Sequence, residues 1–523
     1  PSKRSRKSIQ RLDQGTTVPK TGLRRQELQD QGYQVIRMWE HEYDRRWKTD
    51  KESRHRVKSY DVVEVEPLNP RDCLYGGRTN ATRLLYDVDE SKGEQIKYID
   101  VCSLYPWVCK YKKFPTGHPE IRTEHLDVHH VRQYEGLIKC QVLPPTDLYH
   151  PVLPYHCQGK LMFPLCRTCA ETCQQHEPCQ HNEQERALTG TWVSEELFKA
   201  LDLGYRMVKL YEVWHFPTTQ EYHQTQDDDD DDTRETCAGI FSKYVDTFLK
   251  LKQEASGYPL GCDTEEDQKK FRERFRSIEG ITLGPIEYNE GKRSYAKVQL
   301  NCLWGKLAQR PVMTKTEYIT DPNHYFQLIE DKTKVIKHVD IINEDIMLLN
   351  YEDVKEFVEL DEFANVAIAA YVTAHARLKL YSVLELLGDR VLYFDTDSCM
   401  YIDRPGEKHP DIEEDRLGAW TDEHPEDTIL SFASGGPKNY GCQYRDRHGQ
   451  LHTKCKVKGL TLNYRASQVV NFGVLHHALK SGQVKEFQAV TKDPHKIMRL
   501  PNYDIVSKPL EKSYKNVYQK RVL

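Results

Sequence analysis

Apolar and polar residues alternate through residues 96–101, and the run ends at Asp100, as a half-buried strand would. A second strand is expected at 136–142, before a Pro-rich connection that runs to Pro154. Helical spacing of the apolar positions recurs at 238–255, 264–279 and 291–308, and an apolar, Ala-rich helix is expected at 363–387. Residues 192–216 combine a helical stretch with a strand. Residues 391–402 read as two strands round a tight acidic turn, Tyr393-Phe-Asp-Thr-Asp-Ser398. Strands and helices are thus both expected. Residues 34–43 are strand-like and aromatic, and have the character of the last piece of a domain whose front is missing. No internal repeat is visible.

The length, 523 residues, allows roughly two to four domains or subdomains. Hydrophobic residues are 38% and charged residues 30%, the balance of a globular protein with a large polar surface. No run of 18 apolar residues occurs, so no membrane span is expected. The net charge of −5 is low for a nucleic-acid binder, but six of the negative charges are the run 227–232, expected in a solvated loop at 225–235. Binding needs a local basic groove, not a basic average. The chain opens on Lys3-Arg4-Ser5-Arg6-Lys7, and residues 1–32 read as a disordered basic start or as a nuclear-import or nucleic-acid-binding arm. Fifteen cysteines without a secretory signal read as mostly reduced thiols of an intracellular protein, in the nucleus or in the mitochondrion.

Two acidic motifs carry the candidate chemistry. Tyr98-Ile-Asp-Val-Cys-Ser-Leu-Tyr-Pro106 brings Asp100, and the hairpin brings Asp395 and Asp397, two apart and expected on one face by the period of a strand. Hard divalent magnesium prefers carboxylate oxygens and keeps part of its shell open to phosphates. A pair of such ions about 3.5–4 Å apart activates an attacking hydroxyl and stabilises a leaving oxygen. Between the acidic motifs lies Lys297-Val-Gln-Leu-Asn-Cys-Leu-Trp-Gly305. Lys297, Asn301 and Trp304 fall at i, i+4 and i+7, with Arg293 one turn earlier on the same helical face. Such a row can grip a triphosphate, with Asn301 and Trp304 against base and sugar. Gly305 would let a neighbour pack closely beside Trp304. Tyr75-Gly76-Gly77-Arg78 is a tight turn in which adjacent glycines permit close backbone approach. Cys166, Cys169, Cys173, Cys179 and His181, with Cys157 nearby, have spacings compatible with zinc or with reduced structural thiols.

In this order the motifs resemble those of family B DNA polymerases of the protein-primed, organellar and viral branch, and those of Maverick/Polinton-like transposable elements in particular. The resemblance covers about residues 68–462. It implies an α+β right-hand polymerase of palm, fingers and thumb with an antiparallel palm sheet. Asp-x-x-Ser-Leu-Tyr-Pro is similar to the first palm motif, and Tyr-x-Asp-Thr-Asp-Ser to the third. The resemblance implies that Asp100 and Asp397 bind two magnesium ions, manganese being able to substitute, with help from the Val101 carbonyl. It makes Asp395 a further catalytic residue and Tyr105 the tyrosine under the sugar that excludes ribonucleotides. Lys-x-x-x-Asn-Ser-x-Tyr-Gly is the fingers motif; here Cys302 replaces Ser and Trp304 replaces Tyr, which touches base selection more than the reaction. Lys297, with Arg293 as a second candidate, would hold the triphosphate. Tyr75, Gly76 and Gly77 would contact template, and Lys438 and Tyr440 the primer strand. Val372-Thr-Ala-His-Ala-Arg377 has the look of a palm helix.

The implied partners are primer–template DNA, dNTPs and a terminal or priming protein, which would meet the insert between Asp100 and Lys297. The implied layout is a remnant or linker at 1–67; a first palm part at 68–280 holding the Cys-rich segment 157–181 and the acidic loop; a fingers helix at 281–310; a second palm part at 311–434 with the hairpin 390–402; and a thumb at 435–523. No upstream exonuclease motif precedes Tyr75, so the chain is expected to lack that domain. Three other readings compete. A reverse transcriptase would carry adjacent aspartates where this chain has Asp395-Thr-Asp397. A catalytically inactive, transposon-derived DNA-binding scaffold would not need Asp100, Lys297 and Asp397 intact. A nuclease would need a catalytic cluster that is not visible.

Overall fold

The acidic hairpin lies inside a nine-stranded antiparallel sheet. Its main path runs Thr79–Ala81, Val391–Asp395, Ser398–Asp403, Gln95–Val101, Thr428–Gly436, Asn439–Arg445 and Leu451–Val457. Trp420–Asp422 pairs with Gln95–Val101, and Leu85–Asp87 with Thr428–Gly436. The computed structural model describes residues 66–174, 177–221, 239–259, 261–354, 363–413, 416–481, 488–492, 495–500, 502, 504–509 and 511–515. The basic start at 1–32, the aromatic stretch at 34–43 and the acidic loop at 225–235 lie outside the described residues. All the elements named here belong to one unit, Pro67–Leu523.

Gln95–Val101 is buried on both faces, not one. Ile99 and Val101 join a core built on the helix Val366–Leu387, while Ile96 and Tyr98 join a second core with Leu392, Met400, Phe432 and Tyr440. The expected half-buried strand is therefore a central one, because helix covers one face and the aromatic cluster the other. The helix fits that place. It is Ala-rich, so it can lie close to the sheet, and 15 of its residues are buried.

Glu120–Arg122, Arg206–His215, Gly136–Leu143 and Leu188–Val193 make a separate four-stranded sheet within the insert. Trp192, Ile138 and Val213 fill its core. The helix Glu290–Leu307 packs on Ser242–Glu254, a segment that the sequence layout counts with the palm. Lys315–Ile319, Met347–Asp353 and Lys334–Ile341 form their own three-stranded sheet, which is not joined to the central one. The thumb boundary at 435 also moves. Asn439–Arg445 and Leu451–Val457 are strands of the central sheet, because continuous backbone pairing ties them to Thr428–Gly436. Beyond them come the helices Tyr464–Val469 and Phe472–Lys480 and two small two-stranded sheets. Among the described residues no helix is long and apolar enough to cross a membrane.

Candidate active site

Backbone register brings the two acidic motifs together. Asp100 stands directly opposite Ser398, and the Val101 amide donates to the Asp397 carbonyl at 2.7 Å. On its other side Asp100 faces Thr421, whose hydroxyl donates to the Asp100 carbonyl at 3.1 Å. The hairpin turn has only two residues, Thr396 and Asp397, with Thr396 at φ 62. Asp397 is therefore a turn residue, and the expectation that strand alternation would align it with Asp395 does not hold. Asp395 accepts from the Lys438 ammonium at 2.5 Å instead. Asp100, Asp395 and Asp397 do not gather their oxygens within 4.8 Å of one another. The structure pairs Asp100 with Asp397 and gives Asp395 a cation of its own.

Burial, with the neighbouring charges of Asp397 and Glu423, pushes the Asp100 carboxyl up to about 7. Burial also raises Asp397, aided by Asp395 and Glu423 and opposed by Lys438. Crowded carboxylates that raise one another are the donor set a hard divalent cation would relieve. Glu423, exposed at the end of the short strand Trp420–Asp422, has no signal in the sequence, because a strand of three residues carries no readable pattern.

The cationic side comes from the helix Glu290–Leu307. Asn289 caps its start, accepting from the Lys292 amide at 3.0 Å. Ala296, Leu300, Leu303 and Leu307 face the core, which leaves Lys297 and Asn301 exposed on the adjoining stripe. Neither makes an ion pair or side-chain hydrogen bond among the described residues. Arg293 donates to the Ser256 hydroxyl at 3.2 Å. Trp304 stacks on Tyr105 with ring centroids 5.1 Å apart. Burial raises the Tyr105 phenol, and the Asp397 charge adds to the shift. This stack joins the helix Glu290–Leu307 to the helix Leu104–Tyr111 that follows Asp100. Gly305 has nothing within 4 Å of the place a Cβ would take, so no close neighbour requires it there. Lys252, from the helix Ser242–Glu254, donates to the Ser103 hydroxyl at 3.3 Å, three residues beyond Asp100. It is a further cation near Asp100, and helical spacing alone does not distinguish it from Lys250.

The glycine turn abuts the hairpin. The Thr396 amide donates to the Arg78 carbonyl at 2.8 Å, and a Cβ on Gly77 would lie 2.5 Å from the Thr396 hydroxyl oxygen. Arg377 donates to the carbonyls of Tyr75 and Gly76, and Glu196 holds its guanidinium at 2.7 Å on both arms. Gly76 is exposed, but Tyr75 is only 4% exposed and stacks on His156. Tyr440 is also not a surface residue. It is 5% exposed, 4.8 Å from the Tyr393 ring, with its hydroxyl donating to that of Tyr98. The expected primer contact falls back on Lys438 alone, because the aromatic core takes the tyrosine. Of the five candidate zinc ligands, Cys166, Cys169, Cys179 and His181 converge within 4.8 Å. Cys173 is exposed and points to the Gln158 amide oxygen at 3.6 Å.

Residues 69–260 match the family model described as DNA polymerase type B, organellar and viral. No curated protein matches the chain. Among solved structures, the ternary complex of Phi29 DNA polymerase with primer-template DNA and incoming nucleotide substrates is 16% identical, with a TM-score of 0.50 over 92% of this chain and 73% of that one. A binary complex of Phi29 DNA polymerase with primer-template DNA is 16% identical, with a TM-score of 0.47 over 85% of this chain and 61% of that one. The fold is the α+β right hand of the Phi29 DNA polymerase, and the likeness in sequence to the organellar and viral type B DNA polymerases lies in residues 69–260.

Proposed function

We propose that this chain extends a primer 3′-hydroxyl on a DNA template, joining each deoxynucleoside triphosphate through its α-phosphate and releasing pyrophosphate. The observation that carries the reading is the register that sets Asp100 and Asp397 side by side, next to the stack of Trp304 on Tyr105. Asp100 and Asp397, with the Val101 carbonyl, would hold the two magnesium ions. When bound, those ions supply charge neutralisation at the attacking and leaving oxygens.

The chain's own residues do the rest. Lys297, with Arg293 and Lys252, draws in and orients the triphosphate. Tyr105 and Trp304 bound the space for sugar and base. Lys438 holds Asp395 in place and offers its remaining donors to the primer strand. Gly76 and Gly77 present backbone to the template. Sequence would be read by base pairing, while the protein holds the backbones. Catalysis would rest on positioning and electrostatics.

Primer extension on a primed template with magnesium and dNTPs tests this directly. The wild type is expected to extend and Asp397→Asn to lose extension while still binding DNA. Equal extension by both would remove Asp397 from the mechanism. Failure of the wild type on every primed template would favour the inactive DNA-binding scaffold instead.

A further inference from the structure

The insert holds a cluster that the polymerase reading does not use. Cys166 and Cys169 come from the start of one very short helix, and Cys179 and His181 from the stretch just before a second. Arg167–Glu171 has five residues, Glu183–Arg186 has four, and Cys166 is the N-cap of the first. Helices of one turn are not stable alone. Among the described residues the pair is joined by Thr168 to the Glu185 carbonyl at 2.9 Å and by Arg167 to the Gln184 carbonyl at 3.5 Å.

Three sulfurs surround one ring nitrogen. The His181 Nδ1 lies 3.5 Å from Cys166 Sγ, 3.3 Å from Cys169 Sγ and 3.5 Å from Cys179 Sγ. A ring nitrogen has a single donor or acceptor position, so it cannot satisfy three thiols by hydrogen bonding. A tetrahedral metal site explains the spacing. Zinc–sulfur bonds of about 2.3 Å and a zinc–nitrogen bond of about 2.0–2.1 Å set sulfur and nitrogen about 3.5 Å apart. Four ligands of this kind close the shell, which marks a structural ion and not a catalytic one.

The cluster has a target. The hairpin of Tyr155–Cys157 and Lys160–Met162 is tied to the first helix by Tyr155 to the Glu171 carboxylate at 3.1 Å and by Gln158 to the Glu171 carbonyl at 2.6 Å. The far side of that hairpin meets the glycine turn. His156 stacks on Tyr75 at 4.9 Å, Leu161 lies 4.0 Å from the Cβ position of Gly76, and the Arg78 guanidinium sits 4.3 Å over the Phe163 ring. The turn in turn bonds the catalytic hairpin at Thr396.

We propose that Cys166, Cys169, Cys179 and His181 bind one structural zinc ion that braces residues 155–163 against the turn at 75–78. The metal site stands on its own geometry and does not rest on the polymerase reading.

The full chain should be analysed for metal content, then stripped with a chelator and reloaded with zinc or with cobalt. About one zinc per chain is expected in the wild type and in Cys173→Ser, and none in Cys169→Ser or His181→Ala. Cobalt should give the visible bands of a tetrahedral thiolate site. In the wild type, stripping should raise hydrogen exchange at 155–163 and 75–78, and reloading should restore protection, so a variant that fails to fold does not decide the matter. A wild type that takes up no stoichiometric metal would overturn the proposal. So would loss of metal in Cys173→Ser, or exchange at 155–163 unchanged by stripping. None of these readouts depends on primer extension, so they stand apart from the fate of the polymerase reading.

Discussion

The acidic and the basic halves of the site are built in opposite ways. Asp100, on a central strand, and Asp397, in the tight turn beside it, are fixed by backbone pairing, half-buried and crowded by each other and by Glu423. Lys297 and Asn301 stand exposed on a helix with no partner of their own among the described residues. The first half is set by backbone pairing, and the second stands on a helix face open to solvent. A sheet restricts a side chain more closely than an exposed helical stripe does, and long lysines keep most of their rotamer freedom until something binds them. The difference implies a division of labour. On the proposed function, Asp100 and Asp397 should govern the chemical step, while Lys297 and Asn301 should govern binding of the incoming polyanion.

The palm half carries the most severe consequence. Asp100→Asn should cut extension by about 10³-fold or more, the scale of removing a main electrostatic element from a preorganised site. The same change should also stabilise the metal-free fold. The Asp100 carboxyl is raised in the folded chain from 3.8 to about 7. Between those values the folded chain holds a proton that the unfolded chain has released, so stability falls as pH rises through that window. Thermal melts in EDTA from pH 4 to pH 8 should show this fall in the wild type and a shallower one in Asp100→Asn. Equal slopes would mean that the carboxylates do not strain one another.

Lys297→Ala comes next. It should lower kcat/KM for the nucleotide by about 10²-fold, mainly through KM, with Lys297→Arg recovering part of the loss. A loss confined to kcat would contradict the division of labour, because the lysine would then belong with the chemistry. Gly77→Ala tests the join between the turn and the palm. Its Cβ would meet the Thr396 hydroxyl at 2.5 Å and its Cγ2 at 2.8 Å, so a destabilisation of about 1–3 kcal/mol is expected in denaturant melts. Thr396→Ser in the same chain removes one of those two atoms and should recover part of that loss, a coupling that independent sites would not show.

Legibility in the sequence tracks the range of the interactions involved. Asp100 and Asp397 are legible because each sits in a contiguous motif at the end of a strand, and strand ends are local facts. The face of Asp395 is not, because a turn of two residues in place of a longer one decides whether alternation continues through it. Tyr440 cannot be placed from its neighbours, since its burial depends on Tyr98, more than 300 positions away. The strands at 439–457 fall to the thumb in the sequence layout for the same reason: their place is set by pairing with Thr428–Gly436, and that pairing with Ile96 beyond it. Cys173 shares the spacing of its neighbours, and only the path of the loop excludes it from the cluster. That the chain mixes helices and strands is plain from period alone, whereas the α+β right hand rests on the order of the motifs.

The mildest loss is expected where the two halves touch. Trp304 belongs to the basic side and Tyr105 to the palm, and their stack is the contact between them. An aromatic pair of this geometry contributes about 0.5–1.5 kcal/mol beyond its buried area, a factor of about 2 to 13 in an equilibrium. Trp304→Ala should therefore reduce kcat/KM by up to about tenfold, seen mostly in KM, and Trp304→Tyr should keep most of the activity because a ring still covers Tyr105. Steady-state extension with a single dNTP separates the cases. If Trp304→Ala matches the wild type, the stack is incidental and the fingers reach the nucleotide through Lys297 alone. If it fails as completely as Asp100→Asn, the ring holds the palm in shape, and the line drawn between the acidic half and the basic half runs through the wrong residue.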